Sequence, residues 1–459
     1  MNKPPLPEKF LARVMEEMDG GESAALVSSL DTESPVSVRF NPYKISEKPG
    51  GAQVAWSKYG YYLAERPIFT ADPLFHSGAY YVQEASSMFL EQVFMQAVEN
   101  GEDSLRILDL CAAPGGKTTH MASLAGLESL VVANEVIRPR ANILAENVKK
   151  WGLGNVVVTN NDPKHFSALR KFFDVVVVDA PCSGEGMFRK STDSRSEWTP
   201  ANASLCAARQ RRILADVWDS LREGGVLIYS TCTFNREENE ENIRWLSENY
   251  DCEPIHINTP EDWWVVRDEV NGIETFRFYP HKIKGEGFFV SVLRKGGVIG
   301  RKDSPKPKKR KVADLPKNLL PEAASWFAQP EFMRFGVVGD DRVFGYYAGV
   351  YNDVNVLAEM FNVVYSGVEA GRLIGRGIKP EHTLALFHDV ARDKVSEAEL
   401  PLSEALKFLH KGNLSPDPFA EGLNMVTFGG LPLGWIKRIG NRCNNMYPKE
   451  WRILSEKIV

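Results

Sequence analysis

Phe173-Asp174-Val175-Val176-Val177-Val178-Asp179-Ala180-Pro181-Cys182 decides the fold of this chain. The run is too continuously apolar to alternate in and out of a half-solvated sheet. It reads as a strand buried on both faces, as parallel strands are. Gly225-Val226-Leu227-Ile228-Tyr229-Ser230-Thr231-Cys232-Thr233 repeats the pattern and also ends on a cysteine. A third segment, Leu108-Asp109-Leu110-Cys111-Ala112-Ala113-Pro114-Gly115-Gly116-Lys117, has the form of a strand-to-helix turn. Residues at the carboxyl ends of such strands face the crevice where open α/β sheets bind ligands.

Outward from these runs, residues 105 to 295 keep a strand-then-helix rhythm. Strands are expected at 106–110, 130–134, 155–159, 173–179, 225–230, 252–257 and 287–294. Helices are expected at 117–125, 138–151, 203–222 and 236–250. The rhythm predicts an α/β fold with a doubly wound, mainly parallel sheet. Asn235 and Glu238 have the spacing of a capping box for the helix after Cys232.

The flanks read differently. Residues 1–100 form an α-rich lead-in, with a short strand at Val36–Phe40 and a helix from Glu84 to Val98. Residues 101–296 are the core. Residues 297–318 include Arg301-Lys302-Asp303-Ser304-Pro305-Lys306-Pro307-Lys308-Lys309-Arg310-Lys311, a basic linker that cannot bury itself. Residues 319–459 form a mixed α/β region. There Lys437, Arg438, Arg442, Tyr447, Lys449, Trp451 and Arg452 read as a basic, aromatic RNA surface.

Composition narrows the class. The 459 residues are 43% hydrophobic and 25% charged, as in soluble globular proteins, and carry a net charge of −5. A nucleic-acid surface must therefore be local. No apolar run approaches the ~20 residues of a membrane span, so no membrane partner is expected. The amino terminus lacks the apolar core of a signal peptide. Six cysteines without a C-x-x-C pair argue against zinc and for a reducing, cytoplasmic setting. Cys206, Cys252 and Cys443 read as small packing residues.

The turn at 111–117 suits a nucleotide-like cofactor. Gly115 and Gly116 let backbone approach a ligand, and amides at the helix start can meet a carboxylate. Asp109 ends the strand before the turn. Glu135 follows the next strand, where an acid can accept from a ribose diol. Asp162 follows the third, where it can receive an adenine amino group. Neither G-x-G-x-x-G nor a Walker loop is present. This pattern favours S-adenosylmethionine over a dinucleotide.

Two cysteines beside such a turn point to covalent catalysis on an unreactive base. Carbon 5 of cytosine is a poor nucleophile. A thiolate adding at carbon 6 makes an enamine whose carbon 5 can attack a methyl sulfonium. Asp179 is placed to hydrogen-bond N3 during the addition. The base must leave its stack to react; Gly184 and Gly186 would give it room, and Arg189 and Lys190 would hold its phosphates. Glu146-Asn147-Val148 copies a tripeptide of DNA cytosine methyltransferases, but it precedes the Pro-Cys loop and is read as coincidence.

At these residues the chain resembles the Nop2/Sun family of RNA cytosine-C5 methyltransferases, and within it the bacterial RsmF-type branch. The matching segments are Cys111–Lys117, Asp179–Gly186 with Arg189, Ser230–Phe234, Arg39–Pro42, and Pro280-His281 through Gly287–Phe289. The family's Arg-Val-Asn-Pro is Arg39-Phe40-Asn41-Pro42 here. The resemblance implies a Rossmann-like core with an N-terminal RNA-binding extension and a C-terminal PUA-like α+β domain. It implies that Cys232 is the nucleophile and that Cys182 assists release. It implies that Cys111, Ala112, Ala113, Pro114, Gly115, Gly116, Lys117, Glu135, Asp162 and Asp179 contact the cofactor or line its site. The partner implied is RNA, 16S rRNA or the 30S subunit, and the chain is expected to be a monomer. The readings set against it are an RNA-binding ribosome-assembly factor with little catalysis and a methyltransferase for another RNA such as tRNA.

Overall fold

The computed structural model describes residues 4–45, 50–98, 104–298, 305–307 and 309–455. The apolar runs form the middle of one large sheet. Its strands and helices are β1 (Arg106–Asp109), α1 (Gly116–Leu124), β2 (Leu130–Asn134), α2 (Arg138–Trp151), β3 (Val156–Thr159), β4 (Phe173–Asp179), α3 (Pro200–Trp218), β5 (Leu221–Thr231), α4 (Glu240–Asn249), β6 (Val266–Val270), β7 (Ile273–Phe278) and β8 (Phe288–Lys295).

The sheet order is β6-β7-β8-β5-β4-β1-β2-β3, followed by the strand Val363–Ser366. Pairs β1–β2, β2–β3, β1–β4 and β4–β5 are parallel. The chain winds from β1 to β3 on one side and returns to β4 and β5 on the other. The reversal between β1 and β4 is where such sheets bind ligands, and it puts Asp109 and Asp179 beside each other. β4 is buried along six of its seven residues, as its sequence required.

The sheet is less parallel than expected. Strands β6, β7 and β8 pair antiparallel and continue from β5. At the other edge Val363–Ser366 pairs antiparallel with β3. The hairpin β6–β7 carries the charged Arg267, Asp268 and Glu269 on its exposed strand, so no apolar run announced it.

The lead-in is richer in helix than in strand, with helices Glu8–Glu17, Gly20–Ser29 and Leu90–Ala97, and Val36–Phe40 is the expected strand. That strand belongs to a four-stranded sheet whose other members, Ala52–Gln53, Gly60–Leu63 and Tyr80–Val82, were not expected because they are too short for periodicity to show. The helix expected from Glu84 starts as a 3-10 turn at Ser86, because Glu84 accepts the amides of Ser86 and Ser87.

The basic stretch also ends early. Residues 299–304 and 308 lie outside the described residues, but Val312–Asp314 is a strand in a five-stranded sheet with Met333–Val338, Arg342–Tyr347, Val368–Ile374 and Gly377–Pro380. That sheet shares the main apolar core, and Arg106 forms an ion pair with Asp353 at 2.7 Å. A final four-stranded sheet spans Ser396 to Asn445 and closes over its own apolar cluster. Among the described residues no helix is long and apolar enough to cross a membrane.

Candidate active site

The turn after β1 is anchored from several sides. Ala112 donates its amide to Asn134 at 2.8 Å. Arg140 donates to the Ala113 carbonyl at 2.9 Å, and Asn147 to the Pro114 carbonyl at 2.8 Å. Asn147, the middle residue of the coincidental tripeptide, therefore serves the turn from α2. Gly115 caps α1 at a φ of 114°, a conformation that costs other residues dearly.

A cavity of about 170 Å³ opens on this turn. Asp109, Cys111, Ala112, Ala113, Pro114, Gly116, Lys117 and Asp179 line it, with Tyr81 and Gln83 from the N-terminal sheet. Asp109 is fully buried. Its Oδ2 accepts from the Thr118 hydroxyl at 2.6 Å, while Oδ1 has no partner among the described residues. Burial pushes this carboxyl up to about 7. Burial likewise pushes the Cys111 thiol far above its ordinary range. Lys117 Nζ lies 2.8 Å from Asp179 Oδ2. Burial works against the Lys117 charge, but the Asp179 carboxylate more than offsets it and holds the ammonium above its ordinary value.

The orphaned Oδ1 of Asp109, at a glycine turn that starts a helix, fits a cofactor with an ammonium group. Glu135 and Asp162 stand outside that cavity. Glu135 accepts the Ile137 amide at 2.8 Å and lies 3.3 Å from Arg140. Asp162 caps the turn Pro163–Ala168 through the Lys164 amide.

The thiols sit one strand away. The parallel register of β4 and β5 sets Asp179 opposite Ser230, whose hydroxyl donates to Asp179 Oδ1 at 2.8 Å. Beyond this pair, Cys182 Sγ and Cys232 Sγ are 3.3 Å apart, and both residues are partly exposed. The hydrogen bond with Cys232, and then burial, push the Cys182 thiol well above its ordinary range.

The loops carrying the thiols are tied together by buried groups. Glu238 is fully buried; it accepts the Ser183 amide and the Gln210 amide, each at 2.9 Å, and also bonds the Ser183 hydroxyl. Its capping box is therefore not formed. Helix α4 begins at Glu240, and Asn235 instead accepts the Glu237 amide. Gly186 donates its amide to the Cys232 carbonyl at 2.8 Å. A Cβ there would meet Cys232 O at 2.6 Å, so Gly186 serves loop contact rather than room for a base. Gly184, at φ +74°, does face open space.

Two expected RNA contacts are internal. Arg189 is buried, donating to Glu286 at 2.9 Å and to the Gly285 carbonyl. It holds the segment before β8 and is not free for phosphate. Tyr447 is buried between His382 and Phe408, and Trp451 packs on His382. Lys437, Arg442 and Lys449 remain exposed.

Comparison with known proteins bears on this arrangement. Residues 95–294 match the model of the 16S rRNA methyltransferase RsmB/F family. Residues 6–85 match the N-terminal domain of 16S rRNA methyltransferase RsmF, and residues 395–453 the methyltransferase RsmF PUA domain. The chain is 31% identical to ribosomal RNA small subunit methyltransferase F of Escherichia coli O9:H4, over 97% of this chain and 96% of that one. It is 31% identical to the protein of the same name from Cronobacter sakazakii, with the same coverage. A methyltransferase homologue from Pyrococcus horikoshii superposes with a TM-score of 0.51 at 29% identity, covering 63% of this chain and 95% of that one. NSun6 from the same organism, solved with SFG, shares the fold with a TM-score of 0.55 at 21% identity, covering 64% and 99%.

Proposed function

The chain belongs to the 16S rRNA methyltransferase RsmB/F family, and from that premise we propose that it methylates carbon 5 of a cytosine in 16S rRNA through a covalent Cys232 adduct. The observation that carries the proposal is the pair of sulfurs 3.3 Å apart at the ends of β4 and β5.

S-adenosylmethionine is the cofactor, and it supplies an electrophilic methyl group. The turn Cys111–Lys117 would hold it, with the free Oδ1 of Asp109 accepting from its ammonium. Glu135 and Asp162 would serve its ribose and adenine once Glu135 exchanges its bond to Arg140 for one to the ligand.

The chain's own residues do the rest. Cys232 adds as a thiolate to carbon 6, and Cys182 steadies that thiolate by donating its S–H. Asp179, ion-paired with Lys117 and bonded to Ser230, would accept from the N4 amino group of the cytosine and so orient the ring for the addition. Addition consumes the Cys232 charge and thus the interaction that kept Cys182 protonated. Once carbon 5 has received the methyl group, Cys182, which is partly exposed, can pass its proton to water and take the one on carbon 5. Re-formation of the carbon 5–carbon 6 double bond expels Cys232.

Helices 8–29, the small N-terminal sheet and the exposed bases of the 396–445 sheet would bind RNA around the target, in the cytoplasm. RNA carrying 5-fluorocytidine tests the chemistry, because fluorine at carbon 5 leaves no proton to remove. The wild-type protein should form an adduct stable on a denaturing gel, and Cys232→Ala should not. An equal band from Cys232→Ala would overturn the assignment.

A further inference from the structure

We infer that Arg13, in the N-terminal helix Glu8–Glu17, is a positioning residue for Cys232. The inference rests on the reading of Cys232 as the nucleophile. It goes beyond the RNA-binding role expected of the N-terminal region, because it makes this helix part of the frame of the thiol site.

The link runs through Glu185, which is fully buried in the loop after Cys182. Its Oε1 accepts from Trp198 Nε1 at 3.0 Å. Its Oε2 accepts from Arg13 Nη2 at 2.7 Å and from the Phe234 amide at 3.1 Å. The next residue, Gly186, donates to the Cys232 carbonyl at 2.8 Å. Glu185 and Gly186 thus grip the chain at Phe234 and at Cys232 itself. Among the described residues Arg13 is the ion-pair partner of Glu185.

The helix is built into this position. Phe10 meets Phe188 and Trp198 edge-on, with ring centroids 5.0 and 6.0 Å apart. These rings share one apolar cluster with Val14, Leu26, Leu30 and Phe234. Arg195 donates to the carbonyls of Pro4, Leu30 and Phe188 at 2.7–2.9 Å. The backbone ties and apolar contacts persist without the Arg13 guanidinium. Removing it should therefore leave the helix docked and strip a buried carboxylate of its counter-charge. Glu185 would then hold the Phe234 amide poorly, and the segment that carries Cys232 would lose that anchor.

The test compares Arg13→Gln and Arg13→Lys with the wild-type full chain. Steady-state methylation of rRNA gives kcat and KM for RNA. Bridging of Cys182 and Cys232 by dibromobimane, located by peptide mass spectrometry, reports the spacing of the sulfurs without RNA or cofactor. Arg13→Gln should lower kcat by tenfold to about a hundredfold, slow the bridging, and leave KM for RNA within about twofold. Arg13→Lys should recover part of both losses. A higher KM with normal kcat and normal bridging would make Arg13 an RNA contact and overturn the inference. Equal losses in Gln and Lys variants, with a lowered Tm in both, would reduce it to a fold-stability residue. If the wild type transfers no methyl group, the functional reading fails while the bridging rates still decide the role of Arg13.

Discussion

Cys182 Sγ and Cys232 Sγ lie 3.3 Å apart across the ends of two adjacent parallel strands, fifty residues apart in sequence. The contact is created by register: Asp179 faces Ser230, and each thiol follows its strand by a short loop. It lets one sulfur donate to the other, so the two cannot be equivalent. The hydrogen bond and burial together raise the Cys182 thiol well above its ordinary range.

That asymmetry predicts opposite phenotypes for the two alanine variants. Cys232→Ala should lower methylation by about 10³-fold or more, with cofactor affinity unchanged by calorimetry. Cys182→Ala should accumulate a covalent protein–RNA complex on ordinary RNA, seen as a retarded band on a denaturing gel. Free turnover by Cys182→Ala without that band would remove Cys182 from the release step.

Cofactor affinity should depend on pH through Asp109. Burial raises its carboxyl to about 7, so it is neutral below that pH and anionic above it. An ammonium is held better by the anion, so Kd for S-adenosylmethionine should fall as pH rises through about 7. The stability sign is opposite: unfolded Asp109 ionises near ~4, so folding loses stability between about 4 and 7 as pH rises. Asp109→Asn should flatten both dependences, measured by calorimetry and by thermal melts across pH 5–8. A cofactor Kd equally steep in the variant would place the titrating group elsewhere.

Lys117→Met removes the ammonium 2.8 Å from Asp179. The buried cation that orients this carboxylate would be lost, and kcat should fall by about a hundredfold. Binding of RNA, read by filter retention, should stay within about twofold. Comparable loss of RNA binding would make Lys117 a phosphate contact instead.

Arg189→Ala should behave as a structural lesion. Glu286 is 3% exposed and would lose its 2.9 Å partner, at a cost of about 3 kcal/mol. Melting should shift down, whereas the salt dependence of RNA binding should keep its slope. A shallower slope at unchanged melting would return Arg189 to the phosphate contacts.

The parts of the fold legible in the sequence were those fixed by local burial. Phe173–Asp179 and Leu130–Asn134 are strands with the expected bounds, and Arg138–Trp151 is the expected helix, because an unbroken apolar run or a clear 3.6-residue pattern sets each of them. The juxtaposition of the thiols followed from strand ends in one parallel sheet. Hairpin β6–β7 and the strand Val363–Ser366 were missed, since their place depends on partners far along the chain. Glu185 and Glu286 were illegible for the same reason: each is an ordinary loop acid until the fold buries it against donors from other elements. Glu238 was read as a helix cap because its bonds to Ser183 and Gln210 likewise exist only in the fold. Arg189 was misread because charge suggests exposure, and only the fold supplies its buried partner.

The most direct test is methyl transfer from methyl-labelled S-adenosylmethionine to deproteinised 16S rRNA and to 30S subunits, followed by nucleoside analysis. Label is expected in 5-methylcytidine and is lost in Cys232→Ala. Label in any other nucleoside, or in 5-methylcytidine made equally well by Cys232→Ala, would rule out methylation through a Cys232 adduct.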